Sequence, residues 1–144
     1  MTSLKSVQGN NIYCGPAIIS AITGVTTDQV EKMVQQLRHN DKPVVGMWDS
    51  ELEAVFNKLG FKRIASNSIP KNSTLFNALC SITSGVWAIV VPGHYVCIEV
   101  DSDGKRWFID NHTKKPISAA ASARGMQRVR WIRKIAKVED ATKQ

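Results

Sequence analysis

Val86-Trp87-Ala88-Ile89-Val90-Val91-Pro92-Gly93-His94-Tyr95-Val96-Cys97-Ile98-Glu99-Val100 is the stretch that decides the fold. Its first six residues form an unbroken apolar run, the signature of a central strand covered on both faces. Pro92-Gly93 turns the chain. His94 to Val100 is then a second strand, with His94, Val96, Ile98 and Val100 on one face. Asp101-Ser102-Asp103-Gly104 carries the Asp-Gly signal of a hairpin turn, so Arg106 to Asp110 returns beside it. Gln127 to Val138 reads as a last strand, and Ile117 to Ala123 as a short helical turn or a loop.

Before Gly85 the texture is helical. A first helix starts at Cys14, with Pro16 in its first turn and Gly24 to stop it. It is small and apolar nearly all round, hence buried. A second runs from Thr27 to His39, with Thr26 and Gln29 at capping-box spacing and Val30, Val34 and Leu37 as its apolar stripe. A third follows Gly46-Met47-Trp48. Ser50 and Glu53 have capping-box spacing, Asp49 can cap instead, and Leu52, Val55, Phe56 and Leu59 repeat at i, i+3, i+4 and i+7. Phe61 to Ala65 reads as a short strand. Ser73 can cap a fourth helix through Ile82. Helices followed by antiparallel strands give an α+β class.

The chain has 144 residues, which predicts one domain over 1–144 with a frayed tail at 139–144. Apolar residues are 43% and charged residues 22%, the composition of a globular domain and not of a disordered or fibrous one. Three cysteines, Cys14, Cys80 and Cys97, with no repeated spacing argue against a disulfide framework and a four-ligand zinc site. No metal or cofactor is expected. The first eight residues carry no apolar signal core, and no apolar run approaches ~18 residues, so the expectation is a cytoplasmic protein without a membrane span. The net charge is +7, and Lys114, Lys115, Arg124, Arg128, Arg130, Arg133, Lys134 and Lys137 lie late in the chain. A basic face of this kind suits a nucleic-acid or acidic partner. Its alternation with apolar residues, with no dense block, reads more simply as the solvated side of a strand.

Four residues suggest chemistry. Cys14 sits where a helix begins, and a helix N-terminus favours the reactive thiolate. His94 opens a strand at the solvent end of an apolar face. Asp110 lies one hairpin away, beside the His94 end of the strand pair, where a carboxylate can accept the ring N–H and fix the tautomer. Asn111 can do this instead, as a neutral acceptor. The two point to opposite faces, so only one can. Gln8, six residues before Cys14, can supply an amide N–H to a developing oxyanion beside the Cys14 N–H. Each is weak alone. A cysteine at a helix start is more often a core residue.

Taken in order, Gln8-x5-Cys14-Gly15-Pro16-Ala17, then Gly93-His94-Tyr95-Val96, then Phe108-Ile109-Asp110 resembles the papain-like cysteine peptidase superfamily. Within it the pattern is most similar to the compact bacteriocin-leader-processing peptidases of bacteria and phages. Gly46-Met47-Trp48 through Leu59-Gly60-Phe61 also resembles their second helical element. The resemblance covers roughly residues 8 to 111. It implies N-terminal helices, with the nucleophile at a helix start, packed on a C-terminal antiparallel sheet. It implies Cys14 as nucleophile, His94 as base and acid, Asp110 as orienter and Gln8 as oxyanion donor. The implied activity is cleavage of a peptide or amide bond in a peptide or protein substrate, in the host cytoplasm if the chain is phage-encoded. Those relatives usually have Asp-Pro where this chain has Asp110-Asn111, and papain uses Asn, which keeps Asn111 as the alternative.

Other readings of the same residues remain. A papain-fold binding protein can use the basic face on a nucleic acid or a host protein. An acyl transferase can use the same dyad with an amine as acceptor. His112, close to Asp110, matches the second histidine of Cys-His-His cell-wall amidases. Cys80 and Cys97 read as packing residues.

Overall fold

The computed structural model describes residues 2–67, 73–122, 125 and 127–138. The frayed tail expected at 139–144, and Arg124 and Ala123, lie outside these. Ten elements follow in order: α1 (Cys14–Thr23), α2 (Thr27–Arg38), α3 (Asp49–Lys58), β1 (Phe61–Asn67), α4 (Leu75–Leu79), β2 (Gly85–Val91), β3 (His94–Val100), β4 (Arg106–Ile109), β5 (Ile117–Ser118) and β6 (Trp131–Lys137). A 3-10 turn, Ala119–Ala121, follows β5. Among the described residues the architecture is α+β, with one six-stranded antiparallel sheet in the order β1-β6-β2-β3-β4-β5.

The sheet is covered on both faces at its centre. On one face Ala88, Tyr95, Cys97, Ile109 and Ile135 pack with α1, α2 and α3. On the other, Trp87, Ile89, Val96, Ile98, Phe108 and Ile132 pack with Leu75 and Leu79 of α4. This double burial explains the unbroken apolar run of β2. In α1 every residue from Gly15 to Ile22 is buried. Burying Ile18, Ile19 and Ile22 contributes about 1.5–3 kcal/mol each. Gly24 ends the helix in the left-handed region at φ 82°, and its N–H reaches the Ser20 carbonyl. Thr26 and Gln29 close the expected capping box on α2.

Several element boundaries differ from the sequence expectation, some through a different local cap and some through long-range pairing. The α3 N-cap is Trp48, whose N–H donates to Glu51 Oε1 at 2.9 Å. Glu53 is not the capping acid; it lies 3.2 Å from Arg63 and 3.4 Å from Arg133. Helix α4 is capped by Thr74, not Ser73, through Asn77 N–H to Thr74 Oγ1, and it ends at Leu79. The Ser73 carbonyl instead accepts the Val129 N–H at 2.9 Å, and the Leu75 N–H donates to Gln127 at 2.9 Å. That exchange occupies residues 127–129, so the last strand starts at Trp131. Strand β1 extends to Asn67 because β6 pairs with it along that length, through a register shift between Arg63 and Ala65. Residues 117–121 hold a two-residue strand and the 3-10 turn.

Candidate active site

The N-terminus of α1 meets the end of the β2–β3 hairpin. Cys14 is the first residue of α1, and the Tyr13 side chain makes no capping bond there. Pro16 has no N–H and the Ala17 N–H donates to the Tyr13 carbonyl at 3.3 Å, which leaves the Cys14 and Gly15 N–H groups at the thiol end of the helix. Strand β4 stops at Ile109, whose partner is Cys97. Extending that register would pair Tyr95 with Asn111, but the ladder has ended. The Tyr95 N–H donates instead to Cys14 Sγ at 3.4 Å.

The same register puts Asp110 opposite Val96, on the His94 face and diagonal to His94. Asp110 Oδ2 lies 2.9 Å from His94 Nε2. Its Oδ1 accepts the N–H groups of His112 and Thr113, each at 2.9 Å. The His94 and Asp110 side chains are 9% and 2% exposed, so water does not compete for their bond. His94 also hydrogen-bonds Cys14. Its Nε2 is taken by Asp110, so Nδ1 faces the sulfur. Alternation sends Asn111 to the other face. It is buried, and its Nδ2 donates to the Ile12 carbonyl at 3.1 Å while its own carbonyl accepts from Asn11 Nδ2 at 2.7 Å. Asn111 thus ties down the approach to Cys14.

The electrostatics favour the Cys14 thiolate over an ordinary thiol. Burial works against the Cys14 thiolate. It is outweighed by the His94 hydrogen bond, the Tyr95 N–H, the His94 charge and the Cys14 N–H, and the thiol is held below its ordinary value. Asp110 shows the same balance. Burial raises it, and the bonds from His94, Thr113 and His112 bring it below the usual carboxylate value. Cys97 is buried and pushed well up. Cys80 is exposed, with its sulfur toward the Phe76 carbonyl.

Gln8 is the predicted member that the structure does not bring to the cleft. Its backbone is pinned between helices, N–H to Ser20 Oγ and carbonyl from the Thr27 N–H, both at 2.8 Å. Its side chain is exposed and donates to the Ser6 carbonyl at 3.0 Å. Gln8 does not line the cleft, so an oxyanion role would require its side chain to leave this bond and move there. His112 stacks on His94, with ring centroids 5.6 Å apart, and does not take the place of Asp110.

Cys14 and His94 open into a cleft of about 820 Å³. One wall is the arm Val45–Ser50; the other is Gly93, Tyr95, Arg130 and Trp131. Val45 and Trp48 are 67% and 76% exposed at its mouth. Asp49 locks the walls together. Its Oδ2 accepts Trp131 Nε1 at 2.8 Å, and its Oδ1 lies 2.8 Å from the Tyr95 hydroxyl, which also reaches the Met47 carbonyl at 2.7 Å. The sequence offered Asp49 only as an alternative cap for α3, and nothing local links it to Tyr95 or Trp131. Met47 covers Gly15, where a Cβ would lie 2.6 Å from its sulfur. Among the described residues no group of three His, Cys, Asp or Glu can hold a metal, and no helix is long and apolar enough to cross a membrane.

No family model, curated protein or solved structure matches the chain.

Proposed function

We propose that this protein is a papain-like cysteine hydrolase, and more narrowly a peptidase, with Cys14 as nucleophile, His94 as general base and acid, and Asp110 as orienting acceptor. The observation that carries the reading is the chain of contacts Cys14–His94–Asp110 at the foot of an open cleft. A half-buried thiol held below its ordinary value beside a histidine whose far nitrogen is clamped is what nucleophilic thiol chemistry requires.

The Cys14 thiolate attacks the substrate carbonyl carbon, and the carbonyl electron pair moves onto oxygen. The Cys14 N–H, at the uncapped start of α1, stabilises that oxyanion, and Gln8 adds a second donor if its side chain swings inward. The intermediate collapses as His94 Nδ1 gives its proton to the leaving amine, leaving a thioester. His94 then takes a proton from water as the oxygen attacks the thioester carbon; the C–S bond breaks, the acyl group leaves as a carboxylic acid, and the Cys14 thiolate is regenerated beside protonated His94. Asp110 accepts the Nε2–H throughout and stabilises the imidazolium. The Cys-His-His amidase reading is less well supported, because Asp110 and not His112 meets Nε2.

The test is a peptide aldehyde library incubated with the protein and read by intact mass. A thiohemiacetal on Cys14, absent after His94→Ala or Cys14→Ser, supports the reading. Adducts indifferent to both substitutions, or none beside unimpaired peptide cleavage by Cys14→Ser, would overturn it.

A further inference from the structure

We propose that Arg130 is a specificity determinant that selects peptides carrying a carboxylate close to the bond that is cut, an inference that rests on the hydrolase reading above. Arg130 lines the same cleft as Cys14 and His94 and is exposed to solvent. Its N–H donates to the Val90 carbonyl at 2.7 Å, which fixes its backbone beside the strand leading into the His94 hairpin. Among the described residues its guanidinium has no ion pair and no side-chain hydrogen bond.

Among the described residues, the other charged groups that line or border the cleft are committed. Both carboxylate oxygens of Asp49 face donors on Tyr95 and Trp131. His94 is held between Cys14 and Asp110. Arg133, three residues on, sits 4.1 Å over the Trp131 ring with Glu53 as its partner. Arg130 therefore presents an unspent, planar five-donor fork into a cleft built to receive a peptide. That geometry matches a carboxylate in two parallel bonds. The net charge of +7 adds long-range attraction for acidic segments. Across the cleft, exposed Val45 and Trp48 offer apolar contact, so the favoured segment pairs an acidic residue with an apolar one.

Two measurements on the full chain decide the matter. The first uses quenched fluorogenic peptides in which Glu, Gln or Lys occupies each site flanking the cut, with amidated and free C-termini to separate a side-chain carboxylate from a terminal one. At one site the wild type should favour Glu over Lys by about ten- to hundredfold in kcat/KM, the scale of a hydrogen bond to a charged partner. Arg130→Gln should flatten that preference and Arg130→Glu should invert it. The second needs no turnover. The same Glu and Lys peptides, labelled, are bound by Cys14→Ala and by Cys14→Ala combined with Arg130→Glu, and anisotropy should show the same inversion. Equal affinity for both peptides, no binding of either, or a Glu preference that survives Arg130→Glu overturns the proposal. Peptide selection by charge that inverts as expected, without any Cys14-dependent cleavage, overturns the hydrolase reading and leaves the carboxylate site standing.

Discussion

Replacing Asp110 by Asn keeps the shape of a 2% exposed side chain and removes its charge. The backbone fixes how the new amide sits. Oδ1 accepts the His112 and Thr113 N–H groups at 2.9 Å each, so the amide oxygen belongs there and its NH2 must face His94 Nε2. Two donors cannot share that contact. The ring must give up its Nε2 proton and carry it on Nδ1, the nitrogen that faces Cys14. It can then no longer accept the thiol proton. Losing one hydrogen bond between ionised partners costs about 1.5–3 kcal/mol. At about 1.4 kcal/mol per pH unit, the Cys14 midpoint should rise by about 1–2 units. A titration of thiolate ultraviolet absorbance reads this directly. In a Cys80→Ser background, with Cys97 buried and pushed up, the low-pH step belongs to Cys14. An Asp110→Asn midpoint equal to that of the parent, in a protein with unchanged near-ultraviolet dichroism, would refute the reasoning.

Four further outcomes follow from the geometry in and around the cleft. Gly15→Ala places a Cβ 2.6 Å from the Met47 sulfur and 3.0 Å from its Cγ, and should cost about 1–3 kcal/mol in denaturant unfolding. Gly46→Ala, which meets nothing within 4 Å, should stay within about 0.5 kcal/mol. Trp48→Ala, at a site 76% exposed, should leave the unfolding midpoint nearly unchanged and raise KM for peptides without a matching fall in kcat. Glu51 is held below its ordinary value by the hydrogen bonds from Arg38, with the Trp48 N–H assisting against burial. A depressed carboxylate stabilises the fold above its unfolded value near ~4.3 and loses that contribution as pH falls through its folded value. Glu51→Gln should therefore lower stability by about 1 kcal/mol at neutral pH, and the gap should close on acidification.

What the sequence made legible is what local chemistry decides. The starts of α1 and α2, the Gly24 stop and the Pro92-Gly93 and Asp103-Gly104 turns depend on neighbours a few residues apart. The hairpin turns also set the β2–β3–β4 register, and that register sends Asp110 toward His94 and Asn111 toward Ile12 by alternation. Long-range pairing was not legible. Nothing near Phe61 announces that β1 pairs with β6, or that β6 then inserts beside β2. Residues 127–129 carry strand chemistry, but Ser73 and Leu75 occupy their backbone. The far wall of the cleft was hidden for the same reason. Asp49 reads as a cap because it stands at a helix start, yet its carboxylate meets Tyr95 and Trp131, 46 and 82 residues away. Gln8 has the right spacing to Cys14, but spacing does not fix a side-chain torsion.

The central claim is a thiolate–imidazolium pair at Cys14. Its most direct measurement is competitive alkylation of the folded protein near about pH 6, where an ordinary thiol with a pKa of ~8.5 is almost wholly protonated. Peptide mapping then reads each cysteine separately, in the wild type and in His94→Gln. Cys14, despite its partial burial, should be labelled at least about tenfold faster than exposed Cys80. Buried Cys97 should stay unlabelled, and His94→Gln should remove the Cys14 advantage. Labelling of Cys14 no faster than Cys80, or an advantage that survives His94→Gln, would contradict it.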